Sequence, residues 1–185
     1  LKIVYLLLIL MVYGSDVMNA DVNSSKTIFY PTQAYIAEIQ QVWSEFLNTH
    51  NWHNLIKNVE PRNSNCGLVY ELPNYLNRPN EGLAIVDMRT IRFVEPHYHP
   101  DPVVEIYFIL QGTALVVVAG QEIPAKTGSI VVIFYRQAHF VIPDSETVIA
   151  VVNTPPFEQE HHKVITETDT DVSFDKQQFN RLTQI

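Results

Sequence analysis

The residues with the most evident chemistry are His97 and His99, one residue apart in Pro96-His97-Tyr98-His99-Pro100, and Glu105, which heads the apolar run Ile106-Tyr107-Phe108-Ile109-Leu110. Side chains alternate faces along a β-strand, so both imidazoles project to one side and offer two metal-ligand nitrogens. A carboxylate at the head of an apolar run is costly unless something compensates its charge. A divalent cation held between the histidines and Glu105 would do so, because a bound ion inverts the local logic of charge burial.

Positioning such a group calls for strands, and the chain supplies them. From Leu83 onward the pattern predicts strands over Leu83 to Met88, Thr90 to His99, Val103 to Leu110, Thr113 to Ala119, Ser129 to Phe134, Ala138 to Ile142 and Thr147 to Asn153. Turn residues join them at Gln111-Gly112, Gly120-Gln121, Lys126-Thr127-Gly128 and Pro143-Asp144-Ser145. Short strands at this spacing argue for an all-β sandwich or barrel. Leu115 to Val118 and Ile130 to Phe134 are apolar on both faces, which predicts cover from an opposing sheet and from a helix or second subunit.

Ahead of the strands, Ile36, Ile39, Val42, Trp43, Phe46 and Leu47 recur at three- and four-residue spacing and predict an amphipathic helix from about Gln33 to Asn48. Residues 58–82 are rich in loop formers, with a short strand expected over Leu68 to Leu72. Beyond Pro155-Pro156 the chain is polar, and Phe174, Phe179, Leu182 and Ile185 predict a short terminal helix. The expected organisation is thus an extension over 21–82, a barrel core over 83–157 and a polar tail over 158–185.

Composition bounds the function. With 185 residues, 12 Lys+Arg against 20 Asp+Glu and a formal charge of −8, the chain suits one globular domain with extensions and has no basic stripe for nucleic acid. Its one cysteine, Cys66, cannot form an internal disulfide. Lys2 precedes eleven apolar or aromatic residues, Ile3 to Tyr13, short for a membrane span and suited to a secretory signal. Cleavage after Ala20 is expected, giving a secreted or periplasmic protein with no stable membrane span; a retained anchor or buried helix is the alternative.

With the strands and His97-Tyr98-His99…Glu105…Gly112 in view, residues 83–157 resemble the cupin superfamily, small double-stranded β-helix or jelly-roll barrels. His97, His99, Glu105 and Gly112 match the first cupin motif, with Ile91 in place of its leading glycine and one extra residue, within Pro100-Asp101-Pro102, before Glu105. Gly128 and His139 match the second motif, while Phe134, Arg136 and Pro143 replace its proline, glycine and asparagine. The closing Asn153-Thr154-Pro155-Pro156-Phe157 also looks like the end of many cupin barrels. The resemblance implies a divalent-metal site of His97, His99, Glu105 and His139. Three imidazoles and a carboxylate suit Fe, Mn, Ni, Co, Cu or Zn and leave open positions on an octahedral ion.

Strand alternation then predicts Phe93 and Glu95 beside the histidines, Tyr107 and Ile109 beside Glu105, and Tyr135 and Gln137 beside His139, all lining the cavity. Glu95 and Tyr107 are the candidates for acid–base work; their ordinary alternatives are a solvent-facing Glu95 and a core Tyr107. His50, His53, His161 and His162 have no further ligands near them in sequence and are given no site role. Two functions follow: a metal-dependent enzyme of oxygenase or lyase type on a small metabolite, and a non-catalytic module binding a sugar or small acid. The resemblance further implies a homodimer.

Overall fold

The computed structural model describes residues 31–72, 75–166 and 172–184. The expected leader over 1–20 lies outside them. Thr32 caps the first helix, α1 (Gln33–Thr49), its hydroxyl accepting from the Tyr35 amide at 3.2 Å. The predicted stripe is buried at Ile36, Ile39, Trp43 and Phe46. A five-residue helix, α2 (Trp52–Ile56), follows with Asn51 as its cap.

The strands are β1 (Arg62–Ser64), β2 (Gly67–Leu72), β3 (Gly82–Asp87), β4 (His97–Tyr98), β5 (Val104–Gln111), β6 (Thr113–Val118), β7 (Gln121–Lys126), β8 (Ile130–Ile133), β9 (His139–Pro143), β10 (Val148–Thr154) and β11 (Lys163–Val164). The terminal helix is α3 (Lys176–Thr183). Among the described residues the strands form two sheets, ordered β1-β2-β3-β10-β5-β8 and β11-β4-β9-β6-β7, with every pairing antiparallel. The sheets face each other as a jelly roll without a ladder that closes them.

Two apolar layers explain the strands that are apolar on both faces. Tyr107, Ile109, Val116, Ile133, Val141, Ile149 and Val151 fill the space between the sheets. The alternate positions Val104, Ile106, Phe108, Val148, Ala150 and Val152 form a second layer with Ile36, Ile39, Trp43 and Phe46 of α1. All seven residues of β10 are therefore buried. On the back of the smaller sheet, α3 sets Phe179 edge-on to Phe140, ring centroids 5.0 Å apart, and to Phe93 at 5.3 Å.

Two expectations need correction. The strand expected over 90–99 is reduced to β4, because the chain turns at Ile91, whose amide donates to Met88 O at 3.1 Å. Conversely, β7 is a strand where the sequence pattern predicts only turn residues at either end. Its Pro124 is tolerated because β7 is an edge strand, where a missing donor faces away from the ladder.

The β5–β6 turn depends on Gly112, at φ +78°, where a Cβ would stand 2.7 Å from the Glu146 carbonyl carbon. Against it lies Asp144, whose carboxylate accepts from the Thr113 hydroxyl at 2.7 Å, the Glu146 amide at 2.8 Å and the Thr147 hydroxyl at 2.9 Å. These bonds, the Thr113 hydroxyl first, hold the Asp144 pKa down at about 2 against an ordinary 3.8. Because the folded value is depressed, the stabilisation is complete above 3.8 and lost as pH falls through about 2. The stability gap between wild type and Asp144→Asn, read by urea unfolding, should narrow on going from pH 5 to pH 2; a constant gap counts against this account.

Candidate metal centre

The cluster bridges the two sheets at one end of the jelly roll. In the smaller sheet His97 of β4 pairs directly with His139 of β9, so both rings occupy one face, their centroids 4.0 Å apart. His99 follows β4 on the same side. Glu105 enters from β5 in the opposite sheet, and its Oε2 lies 3.2 Å from both His99 Nε2 and His139 Nε2. The extra residue before Glu105 is taken up in a turn, with the Val103 amide donating to Pro100 O at 3.0 Å. One ligand atom from each of His97, His99, Glu105 and His139 lies within 4.8 Å of the others.

Main-chain carbonyls set the three imidazoles. His97 Nδ1 meets Glu95 O at 2.8 Å, His139 Nδ1 meets Gln137 O at 2.8 Å, and His99 Nδ1 meets His161 O at 2.6 Å. A carbonyl only accepts, so each Nδ1 carries the proton and, in the neutral ring, each Nε2 keeps a free lone pair. This is how a protein fixes tautomer and ring direction in a metal-ligating histidine. All four residues are buried, none above 6% exposed. His99 Nε2, although close to Glu105, makes no hydrogen bond. A buried nitrogen lone pair facing a carboxylate is an arrangement that a cation between them satisfies, so these residues fit a divalent metal.

The electrostatics agree. Burial alone would raise the Glu105 pKa, but His99 and His139 outweigh it and hold the carboxyl well below the usual range. His99 is likewise penalised by burial, yet Glu105 lifts its pKa above the ordinary value. Burial, reinforced by His139 and His162, pushes His97 well down and keeps it neutral.

The remaining sequence candidates fall in different places. Tyr107 is buried beside the cluster and hydrogen-bonded to Glu105, and burial followed by the Glu105 charge pushes its hydroxyl pKa well up. It stays protonated and orients the carboxylate. Ile109 lies deeper in the same core. Glu95 has an exposed side chain that accepts from Asn65 Nδ2 at 3.2 Å. Phe93 packs outward on Phe179. Tyr135 is 38% exposed, and Gln137 is half-buried, its Oε1 accepting from the Phe134 amide at 2.9 Å. Alternation thus brings Tyr107 and Ile109 inside with Glu105, and leaves Glu95 and Phe93 outside.

Sequence reasoning missed the tail. β11 pairs with β4, Val164 opposite His97, and returns the chain to the site. His161 supplies the carbonyl that orients His99, while the ring of His162 stacks on His97 at 4.2 Å and 29°. A two-residue strand, Lys163–Val164, is too short to show a periodicity, so no local signal could have found this contact.

Residues 87–154 match the family model of the cupin domain. A search of curated proteins returned no match. Among solved structures the chain is similar to a variant of Streptomyces PAC13 with uridine, at 10% identity and TM-score 0.52, covering 60% of this chain and 88% of that one. It is also similar to Pac13 described as a unique nucleoside dehydratase, at 11% identity and TM-score 0.50, covering 62% and 92%. At such identities the likeness is one of fold. No helix among the described residues is long and apolar enough to cross a membrane. The family match spans the strands that bear all four candidate ligands, and residues 87–154 carry the cupin fold.

Proposed function

We propose that this protein holds one divalent transition metal on His97, His99, Glu105 and His139 and acts as a metal-dependent enzyme, of oxygenase or lyase type, on a small metabolite. The observation that carries the reading is the set of three Nδ1 groups locked to main-chain carbonyls, which leaves the Nε2 atoms of His99 and His139 at 3.2 Å from the Glu105 carboxylate and His97 within the same cluster. Four protein donors leave positions free on an octahedral ion, where a bound metal would supply Lewis acidity or redox chemistry. The chain's own contribution is orientation. Tyr107 fixes Glu105, and the carbonyls of Glu95, Gln137 and His161 fix the rings.

Elemental analysis of protein purified without a chelating tag, beside a His97→Ala/His99→Ala variant, tests the reading. The expected result is about one equivalent of metal in the wild type and none in the variant, since both lost donors belong to one site. A metal-free wild type, or metal unaffected by the substitutions, removes the proposal.

A second reading, a non-catalytic binding module, is favoured by one observation: the Tyr107 hydroxyl is committed to Glu105 and the Glu95 side chain is exposed. Metal-loaded protein that binds a small acid or sugar, with a rise in Tm but no turnover or oxygen uptake, would support it. The setting we propose is a secreted or periplasmic homodimer with residues 1–20 removed, to be checked by light scattering and the N-terminal sequence of the mature chain.

A further inference from the structure

Asn153 of β10 stands directly opposite Glu105 of β5. Residues opposed in an antiparallel pair present their side chains to the same face. That face is the interior one, since Ile149 and Val151, four and two residues earlier, belong to the core between the sheets. Asn153 is 6% exposed, and its Oδ1 is buried and accepts no hydrogen bond from the protein. Native interiors seldom leave such a group unpaired. Neither cross-strand neighbour serves it: no hydrogen bond joins it to Glu105, and Gly82 on the other side has no side chain.

We infer that Asn153 Oδ1 receives a hydrogen bond from a small ligand held beside Glu105, and that the ligand class is therefore 2-hydroxy acids and related oxygen chelators bearing a hydroxyl donor. The inference rests on the metal site proposed above. A simple carboxylate brings only acceptors and would leave Oδ1 facing more lone pairs. A hydroxyl next to a carboxylate chelates a divalent ion with both oxygens, and coordination strengthens its O–H as a donor toward Asn153.

The test uses protein loaded with Co(II), whose visible spectrum reports both metal and ligand. The probes are glycolate and methoxyacetate, which share the chelating oxygens and differ in the hydroxyl proton. Wild type should bind glycolate about tenfold more tightly than methoxyacetate, and Asn153→Leu should erase that preference while keeping one equivalent of Co(II). Equal affinities in the wild type, no binding of either acid, or an unchanged preference in the variant would overturn the inference and leave the metal site standing. Loss of Co(II) from a folded Asn153→Leu would overturn it too, by making Oδ1 a ligand of the ion itself. A wild type that takes up no Co(II) would remove the metal site, and this inference with it. Should the variant fail to fold by circular dichroism, the wild-type ratio alone decides.

Discussion

Replacing Glu81 with alanine should lower the stability of the protein by about 3–5 kcal/mol, the range for breaking a buried charged network by removing one partner. The Glu81 side chain is fully buried. It accepts from Trp43 Nε1 at 2.6 Å, Arg78 Nε at 2.7 Å and the Tyr35 hydroxyl at 2.8 Å, tying α1 to the start of β3. Removing it leaves the indole N–H buried without an acceptor and Arg78 with only Glu38, at 3.0 Å on the surface. Glu81→Gln keeps an acceptor and should cost less. The effect would be read as a fall in the urea midpoint at unchanged slope. The exposed pair Arg62 and Glu71, at 3.2 Å, is the control, since solvated pairs contribute about 0–1 kcal/mol. Equal losses at the two sites would refute the argument from burial.

The second large effect concerns the metal. His139→Ala should weaken metal binding by more than about 100-fold, exceeding the 10–100-fold usual for a group that only supports a ligand. His139 is wholly buried, its Nδ1 is fixed by Gln137 O at 2.8 Å, and its Nε2 is one of two contacts on Glu105 Oε2 at 3.2 Å. Losing it removes a donor atom and one of the groups that hold the Glu105 carboxyl ionised. Competition against a chromophoric chelator measures the change. The Tm rise on adding metal should shrink as well, because a ligand bound only to the folded state stabilises by an amount that grows with the logarithm of its affinity. A variant that keeps wild-type affinity would show that the ion, if bound, uses other donors.

How much of this was legible in the sequence depends on whether the signal was local. The α1 stripe and most strands were, since periodicity reports the buried face directly. The ligand set was also legible through the spacing of His97, His99 and Glu105 and the resemblance that added His139. Even a departure from the motif left its imprint: Arg136, where the pattern takes glycine, has φ +58°, its amide donating to His99 O at 2.7 Å and its guanidinium reaching Asp101 at 2.9 Å. Arg136 thus holds the left-handed backbone conformation that glycine adopts most readily.

Alternation failed at a definable point. Val94 lies in the core between the sheets and Phe93 outside, while His97 faces inward, so the facing slips by one residue between Val94 and His97. A one-residue slip sends every residue before it to the opposite face, which is why Glu95 and Phe93 were misplaced while Tyr107 and Ile109, on unbroken β5, were not. The tail was illegible for another reason. His161 acts on His99 through its carbonyl, a group every residue possesses, from 62 positions away.

That carbonyl means that the stretch by which kinship is recognised is shorter than the stretch that does the work. A fragment cut at residues 87–154 would contain all four donor atoms. It would lack α1 behind β5, α3 behind β9 and the one main-chain oxygen that keeps the His99 ring turned to the cluster. Descent and mechanics draw their boundaries differently in this protein, and grafting its centre elsewhere would require the borders set by mechanics.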